Sequence, residues 1–180
     1  MKKVFLLLLV LVTTVIAQAQ TWIGYTTTTV NLREGPSTDY NIVKKLPEGS
    51  VVYIDTDEEK NGFYLAVDIE NDIEGYVSKK FIKHYKDVAK SEGSSIQSDG
   101  QTDSYEPTIK ISNNTSTNLT LRVNSITYRF KPFESREITI NPGKFSYRAS
   151  SPGVLPSSGY HTAESYSSYT WDFSIVTSRK

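Results

Sequence analysis

The stretch Val30-Asn31-Leu32-Arg33-Glu34-Gly35-Pro36-Ser37-Thr38-Asp39-Tyr40 decides how the first half of this chain folds. A short apolar strand runs directly into Gly-Pro-Ser. Pro36 fixes its own φ and Gly35 admits backbone angles closed to other residues, so the chain must turn here. Short apolar runs follow at hairpin spacing: Ile42-Val43, Leu46-Pro47-Glu48-Gly49 and Val51-Val52-Tyr53-Ile54. Asn61-Gly62 marks a tight hairpin between Val51–Ile54 and Phe63–Val67. Phe63-Tyr64-Leu65-Ala66-Val67 is apolar without alternation, the pattern of a strand covered on both faces. Glu74-Gly75-Tyr76-Val77-Ser78 and Lys79-Lys80-Phe81-Ile82 close the series. No helical period is sustained over about ten residues.

The ordered series Asn31/Arg33/Gly35-Pro36-Ser37, Tyr40, Leu46/Gly49/Val52, Asn61-Gly62-Phe63 and Gly75-Tyr76-Val77 resembles the bacterial SH3-like (SH3b) domain. The resemblance covers Val30 to Ile82. It implies a small β-barrel that binds or tethers at the cell envelope and performs no chemistry. One departure is Phe63, where the family usually carries Trp after Asn-Gly.

The extreme N-terminus reads as an address. Lys2 and Lys3 precede the apolar run Val4 to Ile16, and Ala17-Gln18-Ala19 fits a small-x-small cleavage site. This is the pattern of a secretory signal peptide over residues 1–19. The run is shorter than the roughly 20 apolar residues of a membrane span. No Cys follows it, so a lipoprotein anchor is not expected. After cleavage the expected product is exported, periplasmic or extracellular, with no stable membrane insertion.

The chain has no cysteine. Thiol nucleophiles, thiolate metal sites and disulfides are therefore excluded, and an exported fold must rest on its cores alone.

Three segments follow the signal peptide: a barrel at 20–85, a linker at 86–106 and a second β domain at 107–180. Formal charge differs between them. The first carries seven Lys/Arg against eleven Asp/Glu, a net −4; the linker is −3; the last carries nine against four, a net +5. The split argues against a nucleic-acid binder, which presents a strong basic stripe. The basic residues of the last segment are scattered on strands and read as a solvated face. The linker is small and polar from Ser91 to Ser104, with Ile96 almost alone as a large apolar residue. Such a segment buries too little to offset its ordering entropy, so it is expected to be disordered and the domains to move independently.

The last segment alternates cleanly: Ile109/Ile111, Leu119/Leu121/Val123, Tyr128/Phe130, Ile138/Ile140, Phe145/Tyr147/Ala149 and Trp171/Phe173/Ile175. Turn signals separate the runs, among them Asn141-Pro142-Gly143, Ser151-Pro152-Gly153 and Pro156-Ser157-Ser158-Gly159. The period of two at this spacing predicts a small antiparallel β-sandwich. The fold class expected is thus all-β, a barrel plus a sandwich.

Chemistry finds little purchase. The two histidines, His84 and His161, lie in no nucleophile context and read as surface or structurally satisfied residues. Asp55-x-Asp57-x-Glu59-x-Asn61-Gly62 has alternating oxygen ligands but places Lys60 where a calcium loop needs Gly and Ala66 where it needs a bidentate carboxylate. It reads as an acidic hairpin. The sequons at Asn113, Asn114 and Asn118 read as ordinary turn and strand residues. No enzyme activity, cofactor or metal is expected.

Aromatics remain. Twelve Tyr are present, and a phenol ring offers a sugar or peptide an apolar face with an orienting hydroxyl. The candidate ligand-binding residues are Tyr40, Tyr53, Phe63, Tyr64 and Tyr76. Alternation sets Tyr53 opposite Val52 and Ile54, so it is expected on the exposed side. The expected function is an exported, non-catalytic binding protein whose SH3b module contacts cell-wall peptidoglycan or an envelope protein. The alternative is an accessory protein docking on an exported protein partner.

Overall fold

The computed structural model describes residues 21–88 and 96–175. It is all-β apart from one 3-10 turn at Lys79–Phe81. The segment 1–19, expected to be a signal peptide, lies outside the described residues.

Seven strands form the first sheet: β1 Thr21–Thr26, β2 Val30–Arg33, β3 Ile42–Leu46, β4 Val51–Lys60, β5 Phe63–Asp68, β6 Ile73–Ser78 and β7 Ile82–Val88. Their order is β3-β2-β6-β5-β4-β1-β7. The sheet curls as an SH3-like barrel so that one face encloses a core of Trp22, Val30, Leu32, Leu46, Val52, Ile54, Ala66 and Val77. The β4–β5 hairpin turns at Asn61-Gly62, with φ of 52° and 77°, the paired left-handed angles of a two-residue hairpin turn. The acidic segment Asp55 to Gly62 is therefore hairpin, as its sequence indicated.

Gly35 is required for a different reason than its turn suggested. Its φ is ordinary, but the Tyr40 ring lies flat on it; a Cβ there would sit 2.5 Å from the ring carbons.

The second unit comprises β8 Gln97–Gln101, β9 Thr108–Asn113, β10 Leu119–Val123, β11 Ile126–Phe130, β12 Ser135–Thr139, β13 Gly143–Ser151, β14 Val154–Ala163 and β15 Ser167–Phe173. They make two four-stranded sheets, β11-β10-β13-β14 and β12-β9-β15-β8. One core joins the sheets, with Ile109, Ile111 and Trp171 from one side and Leu121, Phe130 and Phe145 from the other. The sandwich is as expected, except that β9 and β15 pair in parallel.

Asn113 acts as a staple at one end. Its side chain is fully buried; the amide donates to the carbonyls of Thr117 and Lys131, each at 2.8 Å, and its Oδ1 accepts from Thr115 Oγ1 at 2.7 Å. The sequon there is a structural loop.

Two expectations are corrected. The segment 86–106 is not a continuous disordered linker: Lys86–Val88 complete β7, and β8 pairs with β15. All five β8 residues are exposed, so its register rests on backbone hydrogen bonds and on Thr170 Oγ1 donating to Asp99 at 2.7 Å. An edge strand of this kind needs no apolar content, which is why its composition reads as linker. The stretch Pro156 to Gly159, read as a turn, lies inside β14. That strand forms the sheet edge, where a Pro without an N–H is tolerated.

Candidate functional site

The barrel sheet has an outer face as well as a core face. Cross-strand register defines it. Tyr53 pairs with Val67 and Val67 with Glu74; Asp55 pairs with Leu65, Leu65 with Tyr76, Tyr76 with Arg33 and Arg33 with Ile42. Directly paired residues point to one side of a sheet. Tyr53, Val67, Glu74, Leu65, Tyr76, Arg33 and Ile42 therefore share the outer face, together with Phe63 two residues along β5.

The sandwich covers one half of this face. The Tyr53 hydroxyl shares a 2.7 Å hydrogen bond with Ser158 Oγ. Glu74 takes an ion pair with Arg148 on Oε2 and lies 3.6 Å from Arg122 on Oε1. Thr120 Oγ1 donates to Asp72 at 2.6 Å, and the Gly153 N–H at the β13–β14 turn donates to the Ile69 carbonyl at 2.8 Å. Arg148 pairs with Ser158 across β13–β14 and with Arg122 across β10–β13, on the side of that sheet opposite Tyr147 and its core. Arg148, Ser150 and Ser158 are buried there although the sandwich core lies behind them. The two units are therefore docked, and the acidic outer face of one meets basic residues of the other. This corrects both the solvated-face reading of Arg122 and Arg148 and the expectation of independent domains.

Tyr53 is the clearest correction among the predicted ligand residues. It is 1% exposed. Burial pushes its phenol above the ordinary 10.0, with the Ser158 hydrogen bond pulling the other way. Alternation placed it correctly on the outer face, but that face is covered at Tyr53. Tyr64 is corrected too: it points to the core side and meets Trp22 edge-on, ring centroids 5.5 Å apart.

The other half of the face stays open. Tyr76, Phe63 and Arg33 are half-buried, and Ile42 is 54% exposed. Arg33 Nη1 donates to the Tyr40 carbonyl at 2.7 Å, which holds the 35–40 loop folded back with Tyr40 49% exposed. Asn41 Nδ2 donating to Glu34 at 3.0 Å braces the same loop. Of the five aromatics chosen from sequence, the structure brings Phe63 and Tyr76 onto this open half and sets Tyr40 at its rim. Arg33 and Ile42 join them; sequence reasoning used both only as markers of the turn and strand. A guanidinium on the same face as aromatic rings can take a carboxylate while the rings pack on a sugar or peptide.

Neither histidine joins this site. His84 is exposed and bonds Asp87 at 2.8 Å. His161 lies on β14 and stacks on Tyr147, centroids 5.4 Å apart. Among the described residues no helix is long and apolar enough to cross a membrane.

A curled sheet with an aromatic and arginine-bearing open face is of the SH3-like class. Residues 28–83 match the family model described as Bacterial SH3 domain, and the barrel is a domain of that kind. The match spans under a third of the chain, and the sandwich lies outside it. No curated protein and no solved structure matches the chain.

Proposed function

We propose that this is an exported, non-catalytic binding protein whose SH3 barrel contacts cell-wall peptidoglycan or another envelope component. The observation that carries the reading is the open half of the barrel face, where Arg33, Phe63, Tyr76 and the rim residue Tyr40 gather beside the region closed by the sandwich. The bacterial SH3 match and the signal-like N-terminus support it. Aromatic rings that share a face with an arginine suit a glycopeptide, which offers sugar faces and free carboxylates together. The test is co-sedimentation of the mature protein with purified peptidoglycan sacculi over a range of salt. Pelleting that saturates and falls on Tyr76→Ala supports the reading; protein left in the supernatant at every salt concentration refutes wall binding.

A protein partner is the second reading. Strand β3 is an edge of the barrel sheet, and its Ile42 and Val43 are both exposed beside a bulge. Such an edge can accept a strand from another chain. Affinity capture from an envelope extract, repeated with Val43→Lys, separates the two: loss of a captured partner with wall binding intact favours protein docking.

A further inference from the structure

A cleft of about 610 Å³ lies where the β5–β6 turn of the barrel meets the sandwich. Asn71 and Asp72 form the barrel side. Arg129, Lys131, Glu134 and Arg136 line the sandwich side. Small-ligand sites favour such junctions between units.

The cleft's charges are not evenly committed. Asp72 already accepts from Thr120 at 2.6 Å, and Glu134 accepts from the Lys131 backbone N–H at 2.7 Å. Three cations thus face two carboxylates that are already engaged. Arg136 is also fixed in place. Its guanidinium lies over the Phe130 ring, 4.6 Å from the centroid, and Nη2 donates to the Arg129 carbonyl at 3.1 Å. A guanidinium anchored at one nitrogen and over a ring keeps other donors that can hold a carboxylate.

The turn joining Lys131 to Glu134 adds an independent observation. The Glu134 N–H donates to the Lys131 carbonyl at 3.1 Å, closing a four-residue turn with Pro132 and Phe133 at its centre. Phe133 has φ of 59° and is 72% exposed. That position favours Gly. A bulky ring there is strained and leaves apolar surface in water, and nothing in the fold of the turn requires it. Phe133 stands outside the cleft lining, at the tip of the turn whose two ends, Lys131 and Glu134, line it.

We infer that this cleft binds a small carboxylate-bearing ligand, the carboxylate held by Arg136 with Arg129 and Lys131, and its apolar part reaching out of the cleft towards Phe133. An acyl amino acid and an acidic sugar both supply that chemistry.

The test is an NMR titration of the full mature chain with four probes. Two are N-acetylalanine and glucuronate; two are their uncharged counterparts, N-acetylalaninamide and glucose. Saturable shifts at the Arg136 side chain and the Phe133 ring with a carboxylate, and none with its uncharged counterpart, are expected. The tighter carboxylate identifies the source. The double variant Arg129→Gln/Lys131→Gln should weaken binding about tenfold or more, the effect of losing charge-assisted hydrogen bonds. Phe133→Gly should weaken binding several-fold while the melting temperature stays level or rises, because the strain is relieved. A purely structural Phe133 would give the opposite pair of results. Equal shifts from charged and uncharged probes, no saturation with either carboxylate, or unaltered affinity in the double variant overturns the inference.

Discussion

Tyr53 and Tyr76 stand on the same face of the same sheet, two strands apart, and meet opposite fates. Tyr53 is sealed under the sandwich by Ser158 and flanked by the Glu74–Arg148 pair; Tyr76 borders Arg33 in the open half. Two tyrosines that look equivalent in sequence thus serve docking in one case and are free to serve binding in the other. The lesson is that strand alternation assigns a residue to a face and leaves open what lies against that face.

The comparison breaks most forcefully at Glu74. Its carboxylate sits between two arginines, one of them with a 6% exposed side chain. Removing one partner of a buried pair costs about 3–5 kcal/mol; Glu74 keeps some water, so loss of its charge alone should cost about 1–3 kcal/mol. Glu74→Lys adds repulsion and should cost about 3 kcal/mol or more, separating the units. Calorimetry should then resolve two transitions in place of one, and Tyr53 should become accessible.

A smaller effect sharpens the open side. Tyr76→Ala should weaken sacculus binding about tenfold, or roughly 1.4 kcal/mol, with a much smaller change in melting temperature. An unchanged binding isotherm would remove Tyr76 from the ligand surface. Tyr53→Phe should do the reverse. It leaves sacculus binding alone and lowers stability by about 1 kcal/mol, the net value of a typical hydrogen bond, as read by denaturant midpoint.

The smallest effect is on pH. Burial raises the Tyr53 phenol above 10.0, so the docked state holds its proton where an exposed tyrosine has lost it. That contribution is complete below pH 10.0 and is lost as the pH rises through the elevated value. Thermal stability should fall more steeply on the alkaline side for the wild type than for Tyr53→Phe. Parallel curves would place the phenol in water.

Much of the fold was legible because its signals are local. Asn61-Gly62 specified a hairpin through backbone angles, and Ile109/Ile111, Leu119/Leu121/Val123 and Phe145/Tyr147 specified core faces through their period. The run Phe63 to Val67 even announced that β5 is covered on both sides over part of its length; Leu65, Ala66 and Val67 are all buried, while Phe63 lies at the open end. What covers the outer side was not local. It involves Ser158, 105 positions from Tyr53 in sequence. A trace of it was present in the charges, −4 on the barrel segment and +5 on the sandwich segment. Net charge carries no direction, and only the register of β10 with β13 brings Arg122 and Arg148 onto the side that meets Glu74. Strand β8 was missed for the opposite reason, since a strand held by its backbone at a sheet edge leaves no apolar pattern to read.

Tyrosine nitration under mild conditions, mapped by mass spectrometry, tests the divided face most directly. The expected result is rapid modification of Tyr40, slower but clear modification of Tyr76, and protection of Tyr53 until Glu74→Lys parts the two units. Nitration of Tyr53 in the unaltered protein at the rate of Tyr40 would contradict the account.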